Sequence, residues 1–441
     1  MLATVLIMLS ANGSFAEPTA NGLWLRRGGD AQNTGRAVLP ANLATPPREV
    51  WRTGQVQHQP DDVLMPGADE PGTLLQIVNG GLIKTTFTGR KLWPEPVPGA
   101  GRILGIVPSK HGPAALVERG GDELLLVAVA DGRVLWNWPV PEPAHHVGAW
   151  KFLSHGDRVR LFIFPAGLTL GHAFEFSADR DQPTLLWRVD YAPRFHGNFG
   201  PSIILADMDG DDEEEIVLAG KPAYVGVISQ GTGDVKFERH YRVEGAEQGT
   251  GRPYGLLQTA DIDGDGRLDV IVVACQVEEY LAVLRNKDGH GLDLLWSRFI
   301  EKDFPADERE IRPNLHSVAD VNGDGRVELV VGAFNLHGKK QWRTLVLDPV
   351  RGIDQPLHDW PGRYFWDCFD IDGDGVAEVI VEQRDTRARP QRTTLEARCR
   401  TAALWRSLKP TREARCCGNC RLPLRSRTSC LPMWTAMACV S

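Results

Sequence analysis

The stretch Asp261-Ile-Asp-Gly-Asp-Gly-Arg-Leu-Asp269-Val-Ile-Val-Val273 decides how this chain is read. Oxygen-bearing side chains stand at its first, third, fifth and ninth positions, and position seven can add a backbone carbonyl. Such a set suits a hard cation that takes six to eight oxygens, which means calcium. The glycine at position four lets the backbone curl until the carboxylates converge. The pattern occurs three more times, as Asp207, Asp209, Asp211 and Glu215, as Asp320, Asn322, Asp324 and Glu328, and as Asp370, Asp372, Asp374 and Glu378. The first Asp residues are 54, 59 and 50 residues apart. That is the period of a repeat architecture.

The residues after each loop exclude the helical calcium modules. An EF-hand or dockerin loop needs a bidentate acid at position twelve and then a helix. Position twelve here is Leu218, Val272, Val331 or Val381, inside β-branched runs such as Glu328-Leu-Val-Val-Gly332. Those runs read as buried strands, so each loop joins two strands.

With these motifs the chain resembles the FG-GAP (VCBS) repeat family, the β-propeller repeat of integrin α-chain heads and of many secreted bacterial proteins. Phe199-Gly200 and Tyr254-Gly255 stand where the family has its Phe-Gly, and Val331-Gly332-Ala333-Phe334 where it has Gly-Ala-Pro. The resemblance covers roughly residues 195–385. It departs from the pattern in the first copy, where Asp212 replaces the second glycine, and in the fourth, where Tyr364-Phe365 replaces Phe-Gly. Metal binding is therefore expected to be weaker in the first copy than in the second or third.

A second repeat precedes and overlaps the acidic loops. Gly89-Arg-Lys-Leu-Trp93, Asp131-Gly-Arg-Val-Leu-Trp136, Thr184-Leu-Leu-Trp187, Gly233-Asp-Val-Lys-Phe237 and Asp293-Leu-Leu-Trp296 each read as a turn entering an apolar strand. Together with Leu23–Gly35 and Pro47–Trp51, they make the N-terminal half resemble pyrroloquinoline-quinone-like repeats, whose opening segment is an entry strand. The expected fold is an all-β propeller of about six blades, against seven or eight in an intact parent, with the acidic loops at one strand connection in every blade.

The bulk composition fits an exported all-β protein. Among 441 residues there are 46 Gly and 30 Pro to supply turns, and 42% hydrophobic residues to fill a core. Leu2–Leu9 is a short apolar core and Ser14-Phe-Ala16 a cleavage site, so residues 1–16 read as a signal peptide and localisation as secreted or periplasmic. Residues 17–60 then form an entry strand and linker, and residues 61–386 the propeller. No run reaches transmembrane length. The net charge of −8 divides into −18 over residues 1–386 and +10 over 387–441. So acidic a body argues against nucleic acid as a partner.

Catalytic constellations are sparse. No nucleophile elbow, zinc-protease helix, phosphate loop or dinucleotide fingerprint is present. His145-His146, Glu213/Glu214 and Glu278/Glu279 read as local or solvated groups, and Cys275 and Cys368 as small buried hydrophobes. The expected function is a non-enzymatic, calcium-binding, monomeric propeller that binds a protein or glycan, with no catalytic residue assigned. The alternative is an enzyme on the same scaffold, a quinone-dependent dehydrogenase or a polysaccharide lyase.

The tail, residues 387–441, breaks with everything before it. Arg and Cys rise, acids nearly vanish and strand alternation stops. Pro432-Met-Trp-Thr-Ala-Met-Ala-Cys439 must be encoded CCN ATG TGG ACN GCN ATG GCN TGY. Read one base earlier, with G at the free positions, the same DNA spells Asp-Val-Asp-Gly-Asp-Gly-Val. This is a fifth acidic loop in the place where the next repeat is due. The tail is therefore expected to be a frameshifted, disordered reading of a further blade that leaves the propeller open, and its Cys417-Gly-Asn-Cys420 is expected to bind no zinc.

Overall fold

The computed structural model describes residues 63–65, 73–383, 392–393, 395–397 and 424–425, apart from 87–88, 143, 145, 156, 193, 196–201, 221–222, 242–251, 276–279, 300–308, 313–316, 336–341 and 371–373. The signal peptide, the whole entry segment, Phe199-Gly200, Asp372, His145, Glu278/Glu279 and most of the tail lie outside the described residues. Within the tail, Leu395–Ala397 pair with Glu382, Val381 and Ile380, and Arg392–Thr393 pair with Leu424–Arg425.

Among the described residues, seven antiparallel sheets of three or more strands follow one another along the chain, built from successive strands as propeller-like blades. The first three occupy Val63–Pro98, Ala100–Pro139 and Ala149–Asp190. The fourth comprises Ser202–Ala206, Glu215–Gly220, Tyr224–Ile228 and Val235–His240. The fifth comprises Arg252–Ala260, Asp269–Cys275, Tyr280–Asn286 and Leu292–Phe299. The sixth has five strands between Arg309 and Pro361, and the seventh has Arg363–Phe369, Glu378–Gln383 and Leu395–Ala397. Seven sheets is one more than the sequence spacing suggests. The reason is that the three N-terminal sheets, which carry no acidic loop, each use only about 40 residues.

The core lies between neighbouring sheets, and strand alternation allocates it. In Asp269–Cys275, Val270 and Val272 pack with Ile204, Val217 and Val227 of the fourth sheet, while Ile271 and Val273 pack with Leu329, Val331 and Leu347 of the sixth. Side chains that alternate across a strand must serve both neighbours when both faces are buried, which is why these strands are continuously apolar. Val321, Val330 and Val346 meet Phe365, Val379 and Val381 in the same manner. Toward the N-terminus, Leu75 and Leu82 pack on Val117 and Leu125, and Leu116 and Leu126 on Leu161 and Phe174. By their contacts the described residues form two compact units, with the boundary running through the third sheet. Among them, no helix is long and apolar enough to cross a membrane.

The Leu-Trp repeat marks a recurring lock between sheets. Trp93 Nε1 donates to Val129 O at 3.2 Å, Trp187 Nε1 to Gln230 O at 2.9 Å and Trp296 Nε1 to Pro349 O at 2.6 Å. Three residues after each acceptor comes a glycine with positive φ: Gly132, Gly233 and Gly352. A Cβ on them would stand 3.0, 2.8 and 2.5 Å from the indole, so only glycine admits the ring. Trp136 departs from the pattern and meets Phe174 and Phe176 edge-on.

Candidate metal centres

Each acidic loop joins two consecutive antiparallel strands of its sheet, the first and second in the fourth, fifth and seventh sheets and the second and third, Val318–Ala319 and Glu328–Asn335, in the sixth. Its ninth residue, Glu215, Asp269, Glu328 or Glu378, is the first residue of the strand after the loop and pairs with the last residue of the strand before it: Ala206, Ala260, Ala319 or Phe369. All four of these carboxylates are buried. The apolar residue at position two anchors the loop from below: Met208, Ile262 and Val321 are buried in three successive inter-sheet clusters.

The loops share one hydrogen-bond plan. The first Asp folds the loop around itself, since Asp261 Oδ1 accepts from Gly264 N at 2.8 Å and Oδ2 from Gly266 N at 2.9 Å. Asp320 does the same with Gly323 and Gly325, and Asp207 with Gly210 and Asp212. The fifth residue accepts from the amide of the seventh at 2.9 Å in all four loops. The ninth reaches back to the amide of the second, at 2.9 Å from Glu215 to Met208 and 3.0 Å from Glu328 to Val321. Part of the acidic pattern thus serves the turn itself.

Among the described residues, two clusters gather carboxylate oxygens closely enough for one cation: Asp207, Asp209 and Glu215, and Asp261, Asp263 and Asp265, with their ligand atoms within 4.8 Å of one another. Asp269 turns its oxygens to Asn286 N, at 2.8 Å, and Ile262 N. In the third loop an amide lies among the acids: Asn322 Nδ2 is 2.5 Å from Glu328 Oε1 and 3.3 Å from Asp324 Oδ2. In the fourth, Asp370 accepts from Asp374 N and Gly375 N.

Electrostatics mark the ninth position. Burial, reinforced by the neighbouring loop carboxylates, pushes Asp269 up to about 6 and Glu328 up to about 7. Glu215 is also raised by burial, against the opposing pull of Lys236. A dehydrated carboxylate among like charges favours its neutral form until a cation offsets the cost.

Basic groups approach two loops. Arg285 Nη2 lies 2.6 Å from Asp263 Oδ2. Lys236 Nζ lies 2.6 Å from Asp209 Oδ2, 2.8 Å from Glu215 Oε1 and 3.5 Å from Asp211 Oδ2. Neither contact was legible in the loop pattern, since both bases come from later strands.

A family model described as an FG-GAP-like repeat matches residues 207–272 and 261–331. The chain carries an FG-GAP-like repeat segment. The two matches span the first three loops. Among solved structures the chain is similar to Sqt1 of Saccharomyces cerevisiae, at 11% identity over 76% of this chain and 81% of that one, with a TM-score of 0.46. It is similar to BamB from Moraxella catarrhalis at 10% identity over 75% and 96%, with a TM-score of 0.32. Similarity to the quinohemoprotein alcohol dehydrogenase of Comamonas testosteroni is 13% over 85% and 71%, with a TM-score of 0.46.

Proposed function

We propose that this protein is an exported, calcium-stabilised propeller that acts as a non-enzymatic binding or scaffold module for a protein or glycan. The observation that carries the reading is the acid at position nine, buried at the start of the strand after the loop in four successive sheets and, in the first three loops, bonded back to the amide of the loop's second residue. The donors are all hard oxygens, as calcium prefers. Asp261, Asp263 and Asp265 would hold the ion of the second loop. Asp320, Asp324, Glu328 and the Asn322 oxygen, after an amide flip, would hold that of the third. Calcium in these places neutralises repelling carboxylates and ties the strand before each loop to the strand after it, stiffening these connections.

The test is thermal unfolding of chelated protein with and without millimolar calcium. A ligand bound by the folded state alone raises Tm. Calcium should raise it, magnesium should do so much less, and Asp261→Ala should remove part of the gain. Equal responses to the two ions, or none, would reduce the loops to Asp-Gly turns. A glycan and protein array, probed in calcium and in chelator, then tests the binding role. Dye reduction dependent on added pyrroloquinoline quinone, with alcohols or sugars as substrates, would refute the non-enzymatic assignment.

A further inference from the structure

In the second loop the approaching base, Arg285, contacts one carboxylate, that of Asp263, whereas in the first loop one base contacts three. A point 2.6 and 2.8 Å from two carboxylate oxygens and 3.5 Å from a third is where a coordinated cation would sit, and Lys236 Nζ occupies it. Calcium would need Asp209 Oδ2 and Glu215 Oε1 at 2.3–2.6 Å. The ammonium already holds those same oxygens, so the two cations are mutually exclusive there.

The place of Lys236 in the repeat explains how it arrives. Strand Val235–His240 pairs Phe237 with Val227 and Val235 with Ile228, which leaves Lys236 as a bulge. In the fifth sheet the bulge residue is Leu295, between Trp296 paired with Val283 and Leu294 paired with Leu284. In the second sheet it is Leu135. Lys236 therefore stands where the repeat elsewhere has the leucine of Leu-Trp. Leu295 packs against the apolar cluster around Ile262. Lys236, at the same position, instead sends its amine into the loop.

Two further departures fall in the same loop. Asp212, with φ +65°, stands where the other loops have Gly266, Gly325 and Gly375 at φ +83° to +89°. A non-glycine residue there is strained, although Asp tolerates the region better than most. The lock between sheets also changes. Phe237 replaces the indole, and the turn glycine that would receive it, Gly289, instead abuts Asp209, whose Cα a Cβ would approach to 2.9 Å. Asp209 is thus pressed from one side by Gly289 and paired on the other with Lys236.

We infer that Lys236 is the resident cation of the first loop, so that calcium fills the second and third loops but not the first. This inference rests on the calcium reading of the other loops, yet it can fail separately from it. Asp209 Oδ1, buried without a hydrogen-bond partner among the described residues, is the atom that would draw calcium in if the lysine yielded.

The experiment counts bound calcium by equilibrium dialysis on metal-stripped full-length protein, comparing wild type, Lys236→Met and Lys236→Arg. Lys236→Met should bind one calcium more than wild type, and Lys236→Arg, which keeps the charge, should not. An equal count in wild type and Lys236→Met would overturn the inference. If wild type binds no calcium, the calcium reading falls, and a single site in Lys236→Met would still support the lysine as the first loop's cation. A second measurement needs no variant. Acylation of Lys236, read by peptide mass spectrometry against exposed Lys287, should stay low and unchanged by millimolar calcium. A several-fold rise on adding calcium would show that the ion displaces the lysine and would refute the proposal.

Discussion

Asn286 Nδ2 lies 2.7 Å from the main-chain oxygen of Met208, joining the fifth sheet to the first acidic loop of the fourth. The same residue donates its backbone N–H to Asp269 Oδ1, and its Oδ1 accepts from Gly289 N. One buried amide therefore connects two successive acidic loops, since Met208 follows Asp207 and Asp269 closes the second loop. Buried side-chain amides hold position only while their donors and acceptors are matched.

Replacing Asn286 with Ala should destabilise the protein by about 2 kcal/mol, because Met208 O loses its donor in a buried site. The backbone bond to Asp269 survives the change, so the second loop should still respond to calcium. Urea unfolding of Asn286→Ala, with and without calcium, measures both effects. A variant of wild-type stability would show that water replaces the amide at no cost.

The indole locks make a graded pair of predictions. Trp187→Phe removes the donor to Gln230 O and leaves part of the buried indole's space unfilled, and should cost about 2 kcal/mol. Gly352→Ala places a methyl 2.5 Å from the Trp296 ring at φ +66° and should cost more, about 3 kcal/mol. Denaturant midpoints of the two variants, measured side by side, test the order. A milder Gly352→Ala would mean that the ring can move aside.

The loops were legible because a calcium motif is local: one ligand every second residue, a glycine to turn and an acid to begin the next strand all fall within nine residues. The buried strands were legible for a similar reason, since Val270–Val273 are apolar on both faces. Lys236 was not, because its entry into the loop depends on a bulge against Tyr224–Ile228 that no residue spacing announces. Asn286 was equally silent, since its partner lies 78 residues away. The Leu-Trp segments were visible as a repeat, but their acceptors, one sheet onward, were not. The seventh sheet was hidden by the shorter N-terminal repeats, where no acidic loop sets the count.

The gene itself tests the tail. Resequencing between the codons for Glu382 and Pro432 should reveal a one-base change of frame, followed by codons that spell Asp-Val-Asp-Gly-Asp-Gly-Val. An unbroken frame with other codons would make residues 387–441 native sequence. In that event the zinc content of purified protein becomes a direct test of Cys417 and Cys420.

The raised carboxyls give the calcium reading a pH signature. Asp269 and Glu328 stand near 6 and 7 in the metal-free fold, against ordinary values of 3.8 and 4.5, because burial favours their protonated forms. Between about pH 4 and 7 the folded state therefore holds more protons than the unfolded chain, and these groups make stability fall as pH rises through that window. Buried His172, pushed down to about 4, acts in the opposite direction below pH 6.5, so a bare pH profile mixes the two. Glu328→Gln separates them. Without calcium, its stability should decline less between pH 5 and 7 than that of wild type, since an amide carries no charge to desolvate. With calcium, wild type should gain most above pH 7, where Glu328 is ionised and ready to bind, while Glu328→Gln should lose the third loop's share of that gain. Calorimetry of calcium binding at pH 6.5, in buffers of different ionisation enthalpy, should register proton release by wild type and less by the variant. Identical proton release from both would exclude Glu328 as a ligand.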